Sequence, residues 1–533
     1  MLQILRLPLQ RAVLLQLLVA LLIGLPVGAA IWFGFVGGGG QTWTHILENR
    51  LFPYTATTLT LLAITGIIIC VIAVPLAWII SLYDFPLRNT LEWALILPLA
   101  VPGYVLAYAW VDLAGVSGPV QSLIRDLSDL RARDYWFPDI VSVPGLAFIL
   151  ASALFPYVYI TARAAFTTQS QATLEAGRSL GASGFRLFSA VGVPAARPAI
   201  FAGLALALME TAADYGAADY LGIQTLGVGI VRAWTSFGEP GTAARLAVVL
   251  IAIAFACLIF ARLSQGGAGA QHTSYRWTSP KRTRLEGRAA RLATASCLLV
   301  LIISFGLPLL RLIWLNLEHN LPVTRLLDPL YSSLILAAAG TLAAFLCAAT
   351  LVLSSHYARQ GGWFIRFAAA AGYAAPGVVL GLGGLFMMQT TGQALSGVFA
   401  LVLLVWIYTS RFASAGTEPL QAALARAPAS IDQAARSLNV TGWSRLIRVD
   451  IPLLSPGALA AALILFVEIL KELPATLMLR PFGWDTLAVR AHAYASDERL
   501  AQATTPALLI VLAGLVPVFY LSRQLTRSGQ ALS

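Results

Sequence analysis

The chain has 533 residues, 58% hydrophobic and 11% charged, with a mean hydropathy of +0.79. Soluble domains carry about 25% charged residues, so a soluble fold is excluded and an integral membrane protein is expected. The net charge of +11 raises nucleic acid as a partner, but the placement of the charges, described below, argues against it.

Apolar runs at or above the roughly 20 residues that span a bilayer recur along the chain. They lie near 12–36, 54–82, 91–114, 142–166, 196–221 and 242–263, then 291–316, 330–355, 364–388, 394–415, 455–479 and 504–522. Period-two alternation is weak, so helices are expected rather than a barrel. The first run, with Arg6 and Arg11 ahead of it, has the flank of a signal peptide. Its length of about 25 residues exceeds the usual 7–15-residue core of such a peptide, so a retained helix is expected. The fold class is therefore an all-α membrane protein of about twelve spans, six and six.

With a cytoplasmic N-terminus, arginines gather on the cytoplasmic side. They include Arg163, Arg178, Arg186 and Arg197 around the first polar interruption, and Arg262, Arg276, Arg282, Arg284, Arg288 and Arg291 near the centre. The opposite loops are neutral or acidic, as with Asp112, Asp126, Asp129, Asp134 and Asp139. This is the positive-inside pattern, and it puts both termini in the cytoplasm. The domain organisation read from it is a first half 1–264, a basic cytoplasmic linker 265–290 and a second half 291–533. Basic runs beside membranes usually meet anionic lipid, and lipid is the partner expected for the linker.

The two halves repeat. Pro102-Gly103 matches Pro376-Gly377 and Gly66 matches Gly340, both 274 apart. Later the offset is 258: Glu210 matches Glu468, Asp214 matches Glu472, and Val231-Arg232-Ala233 matches Val489-Arg490-Ala491. An even number of spans per half gives both halves the same orientation, with a pathway expected on the axis relating them.

The most informative repeat is polar. Glu175-Ala176-Gly177-Arg178-Ser179-Leu180-Gly181 precedes Val191-Gly192-Val193-Pro194 by nine residues, and Gln433-Ala434-Ala435-Arg436-Ser437-Leu438-Asn439 precedes Val449-Asp450-Ile451-Pro452 by nine. A short helix is expected from Thr173, as N-cap, to Leu180. Gly181 would stop it in the left-handed conformation, which Asn439 also tolerates. Ser183, or Thr441, would cap a second short helix running to about Ala190, and Pro194 would end the unit. Phe185 and Trp443 take matching places on that second helix, where an aromatic side chain can dock in a partner's pocket. A duplicated loop packing only on its own bundle is the alternative.

This motif resembles the cytoplasmic signature of permease subunits of bacterial ATP-binding-cassette importers: Glu-Ala-Ala, three residues, Gly, nine residues, then Ile-x-Leu-Pro. The first copy fits, with Gly177, Val191 and Val193 as variants; the second departs at Gln433 and Asn439. The resemblance implies that Glu175, Ala176, Gly177, Gly181, Phe185 and Pro194 couple to an ATPase, as do Gln433, Ala434, Ala435, Asn439, Trp443 and Pro452. It also implies a cytoplasmic ATP-binding partner, a homodimer carrying ATP and magnesium, and a periplasmic or extracellular substrate-binding protein. The segments Met209–Gly216, Gly229–Trp234 and Lys471–Leu500 resemble ferric-iron permeases. Thiamine, phosphonate, sulfate and polyamine permeases are the related alternatives, and the expected location is the bacterial inner membrane.

The chain carries no GxxxxGK[ST] sequence, so no P-loop of its own is expected. Intramembrane carboxylates usually face a cavity or a partner. Glu210 and Asp214, four apart, are expected on one helix face, as are Glu468 and Glu472 beside Lys471. With Tyr215 they form the candidate pathway, offering hard oxygen groups suited to Fe3+; pairing between helices is the competing role. Tyr104, Tyr108, Tyr157 and Tyr159 read as ordinary membrane aromatics. The five histidines and the cysteines Cys70, Cys257, Cys297 and Cys347 are too scattered for a metal site. An ion-gradient carrier would also use two halves and buried carboxylates, but the duplicated polar motif argues against it. No triad or HExxH supports an enzyme.

Overall fold

The computed structural model describes residues 2–38, 40–168, 171–264, 282–318, 322–357, 372–391, 397–425, 429–438, 440 and 442–530. Among them nine helices are long and apolar enough to cross a membrane, or up to eleven if each of two bent pairs is one span. Helices satisfy every backbone N–H and C=O internally, which the hydrocarbon layer requires. Large apolar side chains such as Phe52, Ile67 and Val71 on the helix Leu51–Leu82 point outward, as a lipid-facing surface demands.

Several expected spans change at their ends. The third is broken: Arg88–Ala100 and Gly103–Ser128 meet at 95°. Pro102 lies at the corner, its carbonyl accepting from the N–H groups of Val105 (3.0 Å) and Leu106 (3.1 Å). Proline donates no hydrogen bond and disfavours helix in the residue before it, so the first helix cannot run through. Pro376 repeats the arrangement with Val379 (2.9 Å) and Leu380 (3.1 Å) ahead of the helix Gly377–Thr391. The expected span 364–388 begins outside the described residues. The fifth spans stop early, at Ala213 and Leu470 rather than 221 and 479.

Two compact units are present. One comprises Met1–Gly39, Ala233–Ile251 and Pro322–Arg490; the other comprises Gly40–Arg232, Ala252–Leu321 and Ala491–Ser533. They partition the chain differently from the sequence halves, because each half lends its first span, and all or part of its last, to the unit built mainly from the other half.

In the first unit the N-terminal helix Leu2–Val36 packs on Leu327–Tyr357, Gly377–Thr391 and Gly397–Ala425. Ile23 is buried with Leu351 and Ala413. The ring of Phe33 stacks on Phe386 at 3.6 Å, and the Trp406 indole donates to the Leu22 carbonyl at 2.8 Å.

In the second unit Leu51–Leu82 packs on Val143–Thr168 and Val193–Ala213. Its core includes Ile69, Trp78, Phe155, Tyr159, Phe166, Leu187 and Cys297, the last from the first span of the second half. Helix Leu500–Gln530 joins this unit, with Phe519 edge-on to Trp93 at 5.8 Å. The last described linker residues belong here too: Thr283–Arg284 pair in parallel with Tyr83–Asp84. Residues 265–281 of the linker lie outside the described residues.

Candidate functional site

The two polar motifs fold alike. In the first, a helix Gln171–Ser179 ends in a Schellman turn. The Ala182 N–H donates to the Gly177 carbonyl at 3.0 Å and the Gly181 N–H to Arg178 at 2.9 Å. Gly181 has φ +81° with open space around it, the left-handed stop expected from the sequence. The second copy keeps the same long bond, Val440 N–H to the Ala435 carbonyl at 2.9 Å, after the helix Ala429–Ser437. Asn439 and Thr441 lie outside the described residues. Thr173 sits inside the helix rather than at its cap.

The expected short second helix is instead the start of a long one. Gly184–Leu187 runs through a π-helical turn, Phe188–Gly192, into Val193–Ala213. Ser183 precedes it with extended backbone and no side-chain cap bond. Pro194 therefore does not end the unit; it lies within a continuous 30-residue span, Gly184–Ala213. An α-helix would require the N–H that proline lacks, and the wider π turn, common at functional sites, carries the helix past it. The second copy repeats the π turn as Gly442–Arg445, Leu446–Asp450 and Ile451–Leu470, with Pro452 again just inside, but this helix bends by 61° between Ser455 and Gly457.

Both motifs show the same surface. Glu175 and Ala176 are exposed and Gly177 is buried; Gln433 and Ala434 are exposed and Ala435 is buried. Leu180 and Leu438, matching residues at the turns, are 87% and 75% exposed, and Phe185 is 79% exposed. Trp443 lies in the helix Gly442–Arg445, and its side chain falls outside the description. Exposed large apolar side chains on a polar turn are the kind of group a partner's pocket can cover.

The supports beneath the motifs differ. Gly192 lies against the Trp78 ring, which also packs edge-on to Phe166 (5.1 Å) and Phe188 (5.5 Å). In the second copy the place of Gly192 is taken by buried Asp450, paired with Arg445 at 3.7 Å. The first motif is thus packed on an aromatic side chain of another helix, whereas the Arg445–Asp450 pair lies within the second motif's own helix.

The candidate pathway residues sit at the far ends of the long helices. Because the helices stop at Ala213 and Leu470, Asp214 and Glu472 do not share a helix face with Glu210 and Glu468, contrary to expectation. Each instead starts the next short helix. The Asp214 carboxylate accepts from the Ala217 N–H at 2.9 Å, and Glu472 accepts from the Ala475 N–H at 3.1 Å. Both favour a helix N-terminus, where free N–H groups and the dipole attract anions.

Each carboxylate also abuts the Pro-Gly corner of its unit. A Cβ on Gly103 would lie 3.0 Å from an Asp214 oxygen and 2.9 Å from Leu150. A Cβ on Gly377 would collide with Glu472 and Arg411. The units differ in charge here: buried Glu472 pairs with buried Arg411 at 3.1 Å, whereas Leu150 faces the corner beside Asp214. Glu468 pairs with Lys471 at 2.8 Å, and Glu210 is half-buried.

Tyr215 is buried directly beyond Asp214. Beside it the fold gathers residues that sequence reasoning set aside. The Tyr108 hydroxyl and His492 Nδ1 are 3.1 Å apart, and His492 Nε2 lies 3.3 Å from an Asp219 oxygen. Tyr108 and His492 are 384 residues apart, so no local spacing signals their meeting. Among the described residues, no three His, Cys, Asp or Glu side chains form a metal-holding group.

Comparison with known proteins agrees with this architecture. Residues 73–265 match the family described as binding-protein-dependent transport system inner membrane component. The chain is 25% identical to the Fe(3+)-transport system permease protein of Haemophilus influenzae over 95% of its own length and 97% of the relative. It is 30% identical to the provisionally named 2-aminoethylphosphonate transport system permease protein of Salmonella typhimurium, over 38% of this chain and 76% of the relative. The sulfate transport system permease protein of the same organism is 25% identical over 38% of this chain and 71% of the relative. The long polar-turned helices, the apolar spans and these similarities lead to one conclusion: the chain belongs to the family of binding-protein-dependent transport system inner membrane components and is the permease of such an importer.

Proposed function

We propose that this permease carries ferric iron and is driven by a separate ATP-binding subunit, a homodimer gripping the two Schellman-turned motifs from the cytoplasm. The observation that carries the cargo is the end-to-end match to a ferric transport permease, spanning both halves and nearly the whole of each chain. The shorter match to a phosphonate permease has the higher identity and supports that anion as the second reading. Carboxylates in the last turn of the fifth helices, Glu210 and Glu468, and just beyond, Asp214 and Asp219, favour a cation over an anion on simple charge grounds.

In the proposed cycle an external binding protein delivers iron at the end where the fifth helices stop. ATP closes the ATPase pair and draws the motifs together. The long helices transmit this movement, the first as a 30-residue span from the turn to the carboxylate corner and the second through a 61° bend between Ser455 and Gly457. ATP with magnesium is held by the partner. Uptake of radiolabelled iron, thiamine, sulfate and 2-aminoethylphosphonate in a strain deleted for this chain tests the cargo. Iron uptake is expected to fall on deletion and return on complementation; restoration of phosphonate uptake alone would overturn the ferric reading.

A further inference from the structure

From the meeting of Tyr215, Asp219 and His492 we infer a reception site for a hard trivalent cation, the first protein ligands that delivered iron meets. The inference rests on the ferric reading above and adds residues to it.

The three donors belong to two separate stretches of chain. Tyr215 immediately precedes the short helix Gly216–Tyr220, and the Asp219 N–H donates to its carbonyl at 2.8 Å. Four residues apart in that turn, the two share one helix face, and the Tyr215 ring lies 5.7 Å from the His492 ring, centroid to centroid. His492 arrives from the helix Leu487–Ser496. Its Nε2 is 3.3 Å from Asp219 Oδ2, about the separation of adjacent ligands on a metal bound at roughly 2.0–2.2 Å. Phenolate and carboxylate oxygens with one imidazole suit a hard, highly charged ion.

Tyr108 has a different task. It meets Nδ1, the other ring nitrogen, at 3.1 Å and is fully buried. A hydrogen bond there fixes the ring and aims Nε2 toward Asp219, as outer partners do for ligating histidines. Tyr108 is thus a positioning residue. Ser496 Oγ lies 3.5 Å from Nε2. Asp214 lies in electrostatic range of His492 and adds negative charge. The Asp219 side chain is 25% exposed while that of His492 is 7% exposed, so the carboxylate is the open side of the site.

The place fits reception. The site follows directly on Ala213, at the opposite end of the 30-residue helix from its polar motif. At 1.5 Å per residue that helix is about 45 Å long, enough to cross the hydrocarbon layer. Metal binding requires the phenol to lose its proton, so occupation has an optical signature: charge transfer from phenolate to iron.

The test uses the purified full-length chain in detergent, titrated with ferric citrate, alongside radiolabelled iron uptake in cells. The wild-type chain is expected to develop a visible charge-transfer band that saturates at one iron per chain. Tyr215→Phe should abolish the band. Asp219→Asn and His492→Gln should weaken binding tenfold or more. Tyr108→Phe should retain the band but weaken binding severalfold. Iron uptake by cells with no band in the wild-type chain would overturn the site and leave the ferric reading standing. No iron uptake by wild-type cells would remove the ferric reading, and the site with it.

Discussion

Gly181 and Arg411 are the two residues on which the account is easiest to test. Gly181 holds φ +81° at the end of the first motif helix. A side chain in that conformation costs about 1–2 kcal/mol, and a β-branched one is the least tolerated. Gly181→Val should therefore distort the turn without disturbing the spans. The expected result is normal membrane insertion with uptake reduced at least tenfold, read by uptake assay beside an immunoblot. Arg411 is buried against Glu472. Removing one partner of a buried pair costs about 3–5 kcal/mol because the other charge stays behind. Arg411→Leu should lower the thermal midpoint of the detergent-purified chain, and adding Glu472→Gln should recover most of the loss. No recovery would show that the pair is not the source of the penalty.

Among elements, the two long helices with their π turns are the natural transmitters, and they are seated differently. Trp78→Ala removes the aromatic seat under Gly192, whereas Asp450→Asn removes the ion pair within the helix of the other copy. Each substitution should weaken capture of the ATP-binding subunit in a pull-down from membranes, and Asp450→Asn should do so without disturbing the Trp78 cluster. The sequence made the motif turn legible, because a glycine stop has a local chemical signature. It did not reveal that the second short helix continues past Pro194, since a π turn relieves the proline and leaves no mark in composition. Nor did hydropathy reveal that the fifth spans stop at Ala213 and Leu470. The residues beyond, Gly216–Leu221 and Leu473–Leu479, are mostly apolar and resume as short helices. Carboxylates that looked like a helix face are therefore caps on those short helices.

At the scale of the molecule, the internal repeat was readable from offsets of 258 and 274, but the exchange of first spans was not, because packing partners 300 residues apart share no local pattern. The same is true of Tyr108 and His492, dismissed separately and joined by the fold. The exchange has a consequence for assembly. The helix Leu2–Val36 buries its inward face against the second half, and Gly287–Leu301 buries Cys297 and Ala293 in the core of the first. Segments 1–264 and 291–533 expressed from two genes should co-purify, and 1–264 alone should aggregate or be degraded. A stable, monodisperse 1–264 would contradict the exchange.

The central claim is that two turn motifs couple an external motor to a cargo path. Its most direct test is ATP hydrolysis measured in proteoliposomes that hold the chain, the ATP-binding subunit and the cargo-loaded binding protein. Loaded binding protein is predicted to stimulate hydrolysis together with iron accumulation in the wild type, and Gly181→Val should sever the two. Iron accumulation that proceeds equally without the ATP-binding subunit, or that survives Gly181→Val unchanged, would contradict the account.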